Sequence, residues 1–474
     1  MTEKLYEQIA SQLRGQIARG VYPPGERLPG IRKLKTGLGV SISTVLSALA
    51  LLEAEGLIEA QSRSGFYVKP VTLAHITLPT ASQPDLIPQP VTSQQLALNL
   101  VKASHHVDIL QLSTAVPDEC FLPTDAIGRS VAHVSRRQKE HSSYYEFPPG
   151  HIELRRQIAK RLVMAGCEAR PDDVVITAGC QEAIILALQA VGAPGDVVAV
   201  ESPTFYGLLQ AINYLGMKAL EIPTDPVEGL NLGALEMALE QWQIKACVAV
   251  SNFSNPLGYC MSDGRKAALV DLLERYQVPL IEDDIYGDLG FSGDRPVAFK
   301  AFDTQDQVLY CSSFSKTVAP GLRVGWVFSH QYREKIEFLK YVNNLSAPTL
   351  SQRALAHYLQ HANHDRFLRR VRSQYQRQVH RMLDLITHYF PTGTRVSQPK
   401  GGFVIWVELP IQVNALELYR LALEARISIA PGQIFSARQK YEHFIRLNSA
   451  VQWSTRVEAA LKQLGQLAST LAAS

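Results

Sequence analysis

The chain has 474 residues, with 47 Lys and Arg against 44 Asp and Glu, a formal net charge of +3. At about 100–200 residues per domain this length implies two to four domains, and 46% hydrophobic residues with 19% charge exclude a largely disordered chain. No apolar run reaches the roughly 18 residues of a membrane helix, and the N-terminus lacks the apolar core of a signal peptide, so the expected location is the cytoplasm. The cysteines, at 120, 167, 180, 247, 260 and 311, show neither CxxC nor CxxxH spacing, which argues against zinc and against a disulfide framework.

Residues 1–70 hold nine Lys/Arg and six Asp/Glu, so the entire +3 lies there and the other 404 residues sum to zero. A basic bias confined to a small segment points to a separate module with an anionic partner. Within it, Leu5, Ile9, Leu13 and Ile17 recur every four residues, the apolar stripe of an amphipathic helix that Gly20 ends. Pro23-Pro24-Gly25 make a turn, a short helix follows over about 30–37, and Ser41 caps a further helix through Ala54. Gly56–Ala60 and Gly65–Val68 read as a two-stranded hairpin. Helix, helix–turn–helix and hairpin is the order of a winged helix–turn–helix; a generic small helical bundle is the alternative on pattern alone.

The wording of residues 3–68, from LYEQIASQLRGQIARGVYPPGERLP to SGFYV, resembles the GntR-type DNA-binding domain. That resemblance implies double-stranded DNA as partner, with the helix after Ser41 in the major groove. Ser41, Ser43 and Thr44 would then lie near phosphates or base edges, and Arg32 would reach the backbone or groove edge. The family often has Ser where this chain has Gly30 and Arg where it has Ile42. Arg can bond guanine in bidentate fashion, whereas Ile touches only a thymine methyl, so the sequence preference should differ.

Residues 71–107 contain Pro79, Pro84, Pro88 and Pro90 and only two charges, Asp85 and Lys102. They read as a linker, extended near its prolines, with a helical turn compatible with Leu96–Val101. From 108 to 474 the pattern is α/β. DDVVITAG (172–179) is a buried strand entering a small-residue turn, and CQEAIILALQAV (180–191) is the helix after it. DVVAVESP, ACVAVSNFSNP, VPLIEDDIYG and VLYCSSFSK are further strands with polar or small residues at their ends. Such runs bounded by helices imply a mostly parallel sheet covered on both faces, with functional groups at the strand ends.

Taken singly, those end groups are ordinary: Asn255-Pro256 a turn, Asp283-Asp284 a solvated pair, Lys316 a surface lysine. Together they are not. Gly179-Cys180-Gln181 at a strand-to-helix turn offers free N–H groups to an anion. Ser313-Phe314-Ser315-Lys316, with Arg323 seven residues on, adds two hydroxyls, an amine and a guanidinium, the set a phosphate requires. In order, Tyr145…Gly150, Gly179–Gln181, Pro203-Thr204-Phe205, Asn255-Pro256, Asp283…Tyr286, Ser313–Lys316, Arg323 and Arg446 resemble the fold-type I aminotransferases, which use pyridoxal 5′-phosphate (PLP). With the GntR-type head, the whole chain resembles the MocR subfamily of bacterial transcription regulators.

The resemblance implies roles. Lys316 would form the Schiff base with PLP, Asp283 would keep the pyridine nitrogen protonated, and Asn255 and Tyr286 would bond the ring 3′-oxygen. Phe205 would stack on the ring. Ser313, Ser315, Arg323 and the Gly179, Cys180 and Gln181 amides would hold the phosphate, and Tyr145 would reach the phosphate of a partner subunit, implying a homodimer. Arg446 would pair with the α-carboxylate of an amino acid effector or substrate. QPKGGFVIWVEL (398–409) would be a strand of a smaller C-terminal subdomain, about 346–474. His105-His106 and His361/His364 lack acidic or Cys partners and are read as no metal site, and the basic run 366–381 as one face of a long helix. Two functions remain: a regulator responding to PLP or an amino compound, and a working aminotransferase with an accessory DNA-binding head. The regulator is favoured, because a metabolic enzyme has no use for residues 1–70.

Overall fold

The computed structural model describes residues 5–18, 21–22, 25–55, 57–61, 64–69, 76–92, 98, 108–138, 143–291 and 293–473. The expected stop at Gly20, the turn at Pro23-Pro24, Gly56, His105-His106 and nearly all of Leu96–Val101 lie outside them.

The head consists of α1 (Leu5–Ala18), α2 (Ile31–Leu38), α3 (Ile42–Ala54) and an antiparallel hairpin, β1 (Ile58–Gln61) with β2 (Gly65–Val68). The four-residue stripe of α1 is buried at Ile9 and Leu13 against Val45, Ala48, Leu49 and Leu52 of α3, and Ile58 and Val68 of the hairpin close the same core. Gly39 ends α2 with φ of 67°, a conformation that costs glycine nothing. Two residues later the Ser41 hydroxyl accepts from the Thr44 N–H at 3.1 Å and starts α3.

The large lobe of the body is an eight-stranded sheet in the order β4-β11-β10-β9-β8-β5-β6-β7. Its strands are β4 (Val174–Thr177), β5 (Val197–Ser202), β6 (Lys218–Asp225), β7 (Gly229–Leu230), β8 (Ile244–Val250), β9 (Leu280–Asp283), β10 (Val308–Ser313) and β11 (Gly325–Phe328). Neighbours from β10 through β6 are parallel, while β11 runs against both β10 and β4. Helices Cys180–Val191 and Tyr206–Tyr214 cover one face, and Leu232–Gln241 and Asp263–Arg275 the other. Burial on both faces is why these strands are continuous Val/Ile/Leu/Ala runs rather than alternating ones.

In the small lobe, β12 (Arg395–Val396), β13 (Val404–Glu408), β16 (Phe444–Asn448) and β15 (Ala430–Pro431) form one antiparallel sheet, and β14 (Ile427–Ser428) pairs in parallel with β3 (Leu110–Gln111). Helices His364–Tyr389, Ala415–Glu424 and Thr455–Ala473 pack on them. The boundary expected near 346 is displaced at both ends. Helix Thr349–His361 buries Leu355, Ala356 and Tyr358 against Leu154, Ile158 and Val174 of the large lobe. Residues 110–112, in contrast, join the small lobe through β14, 316 positions away in Ser428 from Leu112. The basic run 366–381 forms the polar side of helix His364–Tyr389, whose other side buries Leu368, Val371, Tyr375 and Val379.

Residues 76–92, within the expected linker, are extended as their prolines require, yet they are bonded along the body. Gln89 exchanges both backbone hydrogen bonds with Ala219 of β6, at 2.8 and 2.9 Å. Among the described residues no single helix is long and apolar enough to cross a membrane. Leu49 is 1% exposed in the head core, so Leu49→Ala is expected to cost about 2–5 kcal/mol there. Loss of hydrogen-exchange protection confined to residues 5–69 is the check; spread of that loss into the large sheet would contradict it.

Candidate functional site

In a parallel sheet the strand ends on one edge are brought together however far apart they lie in sequence. Asp283 is the last residue of β9 and Ser313 the last of β10; Asn255 follows β8, Phe205 follows β5, and Gly179 follows β4. Arg323 precedes β11, and because that strand runs the opposite way its start lies at the same edge. A Cβ on Gly325 would come within 2.5 Å of the Gly179 carbonyl carbon, and one on Gly179 within 2.5 Å of Arg323 Nη2. Gly179, at φ of 94°, therefore both starts helix Cys180–Val191 and clears the guanidinium. Arg323 donates to the Ala178 carbonyl at 2.8 Å.

Ser313 accepts from the Ser315 N–H at 3.2 Å and so fixes the short turn, Phe314–Lys316, that presents Lys316. Lys316 Nζ donates to the Ala115 carbonyl at 2.5 Å. Desolvation, joined by the positive charge of Arg446, pulls the Lys316 pKa down to about 8 despite the opposing pull of Asp283. Asp283 Oδ1 accepts from the Ile285 N–H at 3.2 Å and from the Cys180 thiol at 3.5 Å. Withdrawal from water pushes its pKa up to about 6, so it has use for a cationic N–H donor. Its neighbour Asp284 points the other way and is fully engaged by Arg295, by Tyr310 at 2.9 Å and by Asn252 at 2.9 Å. The two adjacent carboxylates thus have separate environments, and neither is a solvated loop residue.

From the small lobe, β16 contributes Arg446, fully buried. Its Nη1 donates to Asn255 Oδ1 at 3.0 Å, its Nη2 to the Ser113 carbonyl, and its Nε has no partner among the described residues. Burial pulls its pKa below the usual guanidinium value. Phe435 lies 5.2 Å below the guanidinium, and Tyr206 is 5.8 Å from Phe435 and 4.7 Å from Phe205. Tyr286 is buried edge-on to Phe403, and burial raises its phenol. Gly207 is obligatory here, since a Cβ would meet the Phe205 ring at 2.4 Å and Gln181 at 2.7 Å. The cleft is therefore a cationic cradle with one carboxylate that has no ion-pair partner among the described residues and with aromatic walls, suited to an anionic, planar guest.

Lys316, Asp283, Asn255, Ser313, Ser315, Gly179, Cys180, Arg323 and Phe205 lie along this edge of the large sheet, and Arg446 faces them from the small lobe. Tyr145, expected at the phosphate of a partner subunit, is exposed, its ring tilted against Phe147 at 5.5 Å. The carbonyls of Ser113 and Ala115, the Cys180 thiol and Tyr206 were not anticipated. A backbone carbonyl carries no residue signature, and only the Phe205-Tyr206 pair of adjacent aromatics offered one. His364 is buried and hydrogen-bonded to Tyr358 at 3.1 Å; desolvation, joined by the positive charge of Arg161, pulls its pKa down to about 3. In the head, Arg32, Ser41 and Ser43 are exposed and Thr44 half-buried, beside Ile42 and Leu46, which are exposed apolar residues on α3. Ser41 also bonds Ser43 and Thr44 hydroxyls, at 2.8 and 2.6 Å, so its capping and any phosphate contact share one oxygen.

A lysine with its pKa lowered to about 8 is neutral, hence nucleophilic, above that pH. Reductive alkylation of Lys316 by a small aldehyde, followed by peptide mass spectrometry, should rise through pH 8 rather than through the ordinary lysine range near pH 10.5. Because Asp283 favours the charged amine, Asp283→Asn should move that midpoint lower.

Residues 119–464 match the family Aminotransferase class I and II, and residues 5–68 match Bacterial regulatory proteins, gntR family. The HTH-type transcriptional regulator YdcR of Escherichia coli is 42% identical over 464 residues, covering 98% of this chain and 99% of that protein. Among solved structures, LysN, an α-aminoadipate aminotransferase of Thermus thermophilus complexed with N-(5′-phosphopyridoxyl)-L-leucine, superposes with a TM-score of 0.75 and 28% identity over 81% of this chain and 96% of that one. Kynurenine aminotransferase of Pyrococcus horikoshii, in complex with PMP, gives 0.74 and 27% over 80% and 95%. End-to-end likeness to a regulator, and likeness of the body alone to aminotransferases, have one common account: the chain belongs to the MocR subfamily of GntR-type transcription regulators, a winged helix–turn–helix head carried by an aminotransferase-like body.

Proposed function

We propose that this regulator binds PLP in the body cleft and alters its grip on DNA according to the amino compound that joins the cofactor there. The observation that carries the reading is the trio Lys316, Asp283 and Arg446 in one cleft of a chain that begins with a GntR head. The residues fit the cofactor on their own chemistry. Among the described residues Asp283 has no ion-pair partner and the buried Arg446 Nε has no hydrogen-bond partner, and Gly179 and Gly207 keep the cradle open where any side chain would fill it. Lys316 would hold the cofactor covalently through Nζ, and Asp283 would hold the proton on its ring nitrogen. Asn255 and Tyr286 would bond the ring oxygen, and Phe205 would cover one ring face. Ser313, Ser315, Arg323 and the N–H groups of Gly179, Cys180 and Gln181 would take the phosphate, aided by the start of helix Cys180–Val191. When bound, PLP supplies an electron sink for negative charge at the α-carbon of an amino compound.

Arg446 would take that compound's α-carboxylate in exchange for the Ser113 carbonyl, a trade of a neutral acceptor for a charged one. Lys316, once free as an amine, is placed to hold a proton at Nζ against the Ala115 carbonyl. Residual aminotransferase activity is compatible with this constellation, and the 28% identity of Aromatic-amino-acid aminotransferase 1 of Thermococcus litoralis over 78% of this chain supports it as the second reading. Tyr145 would complete the phosphate site of a second copy. Its exposed neighbours Tyr144, Phe147, Phe338, Tyr341 and Val342 supply an apolar face suited to a homodimer. A protein reading operator DNA at two half-sites acts in the bacterial cytoplasm, on the nucleoid.

Lys316→Ala should abolish the near-visible absorbance of the imine formed with added PLP; an unchanged spectrum removes Lys316 from its assigned role. In footprints on the gene's own upstream DNA at fixed salt, Arg32→Ala should weaken binding about 5–150-fold if it contributes one charged contact, about 1–3 kcal/mol. Protection that survives deletion of residues 1–70 would end the regulator reading.

A further inference from the structure

Residues 76–92 are bonded to both lobes of the body. Ile76 packs into the small-lobe core, and the Thr77 carbonyl accepts from the Val396 N–H of β12 at 3.0 Å. Thr80 donates to the Glu408 carboxylate of β13 through its N–H at 2.6 Å and its hydroxyl at 2.7 Å, and Arg395 donates to that hydroxyl at 2.7 Å. Two residues later the chain has crossed to the large lobe. The Ser82 hydroxyl accepts from the Thr224 N–H of β6 at 2.7 Å, both residues being buried, and Trp242 Nε1 donates to the Leu86 carbonyl at 2.9 Å. Gln89 then pairs with Ala219 of the same strand.

At its far end the segment meets the loop that leads to the ligand-binding arginine. Thr92 donates to the Ala437 carbonyl through both its N–H, at 3.1 Å, and its hydroxyl, at 3.0 Å. Asp85 pairs with Arg438 at 2.9 Å and with Lys440 at 3.6 Å. That loop continues into β16, which carries Arg446. Between Thr80–Pro84 on one side and Glu408, Lys440 and His443 on the other lies an open cleft of about 300 Å³, so the crossing itself is spanned rather than packed. Upstream, only residues 70–75 separate the segment from Lys69 at the end of the head. At about 3.5 Å per residue that stretch reaches less than ~30 Å.

We propose that residues 76–92 are a strap over the lobe seam that reports the relative position of the lobes to the DNA-binding head. This rests on the reading of the body as a ligand-responsive unit. Rotation of the small lobe cannot leave the Thr77/Thr80 bonds and the Ser82/Leu86/Gln89 bonds both unchanged, because fewer than three residues join the two sets. The strap must release one lobe or change direction, and its upstream end, which holds the head, moves with it. Ligand then favours one arrangement of the head, and DNA favours one arrangement of the lobes by the same factor.

The test uses the full-length protein and N-(5′-phosphopyridoxyl)-L-leucine as the probe, with anisotropy of a labelled upstream duplex as readout. Wild-type DNA affinity should change about fivefold or more when the probe binds. Two double variants cut the strap on one side each: Thr80→Val with Glu408→Gln, and Ser82→Ala with Trp242→Phe. Each should bind the probe, and bind DNA without it, as the wild type does, while the probe-induced change falls below about twofold. Variants that respond in full overturn the strap. In a parallel measurement needing no variant, the probe should alter hydrogen exchange at the Ser82, Gln89 and Thr92 amides; unaltered exchange there also overturns it. A wild-type protein that binds the probe with no change in DNA affinity overturns the ligand-responsive reading itself, and the strap with it.

Discussion

Two cations from opposite lobes, Lys316 and Arg446, share one cleft from which water is largely withdrawn, and the remainder of the site is organised around that constraint. Desolvation and Arg446 lower the pKa of Lys316, desolvation lowers that of Arg446, and each is supported by whatever negative ends the fold can bring near: Asp283, the Asn255 side-chain oxygen, and the backbone carbonyls of Ser113 and Ala115. Neutral carbonyls are modest partners for buried charge. The cleft is therefore electrostatically prepared for anions, and a phosphate on one side with a carboxylate on the other would relieve what the protein's own dipoles only partly offset.

The same arrangement explains why the lobes are not independent. The stretch after β3 belongs to the small lobe: Asn448 donates to the Val116 carbonyl at 2.9 Å, and the Asp118 N–H donates to the Ala450 carbonyl at 2.9 Å. Its Ala115 carbonyl nevertheless bonds Lys316 of the large lobe. Occupancy at Lys316 and position of the small lobe are thus physically linked, before any partner subunit is considered. An enzyme needs such a link to close over its substrate; a regulator can use it as the signal.

The head has no comparable depth of burial. Its core is a single cluster around Leu49, and the exposed residues at the start of α3, Ser41, Ile42 and Ser43, are small hydroxyls and an apolar side chain. With an excess of only three positive charges per head, affinity for a polyanion would gain from two heads acting on one duplex, as the proposed homodimer supplies. That makes head spacing the quantity to control. The bonded course of residues 76–92 matters for the same reason: a free random-coil tether would leave spacing to chance.

Much was legible in the sequence. The order Gly179, Asn255, Asp283, Lys316, Arg323, Arg446 pointed to the cleft through its resemblance to the fold-type I aminotransferases, and all but Arg446, which lies within β16, sit near the end of an apolar run, a local pattern. The head was legible for a similar reason, since its stripe, caps and hairpin are short-range features. What sequence left open was decided by contacts between distant segments. Arg323 reaches the edge that carries Gly179 only because β11 runs against its neighbours, a fact about strand direction. Residues 110–118 join the small lobe only because β3 pairs with β14, and the carbonyls of Ser113 and Ala115 act through backbone atoms that every residue type shares. The linker's composition gave extension correctly, from proline's fixed φ, but attachment depends on Thr224, Ala219, Glu408 and Ala437, which are its neighbours in space alone. Residue types and their local periods determined the chemistry of this protein; tertiary pairing decided which groups share the cleft and how the head is tied to it.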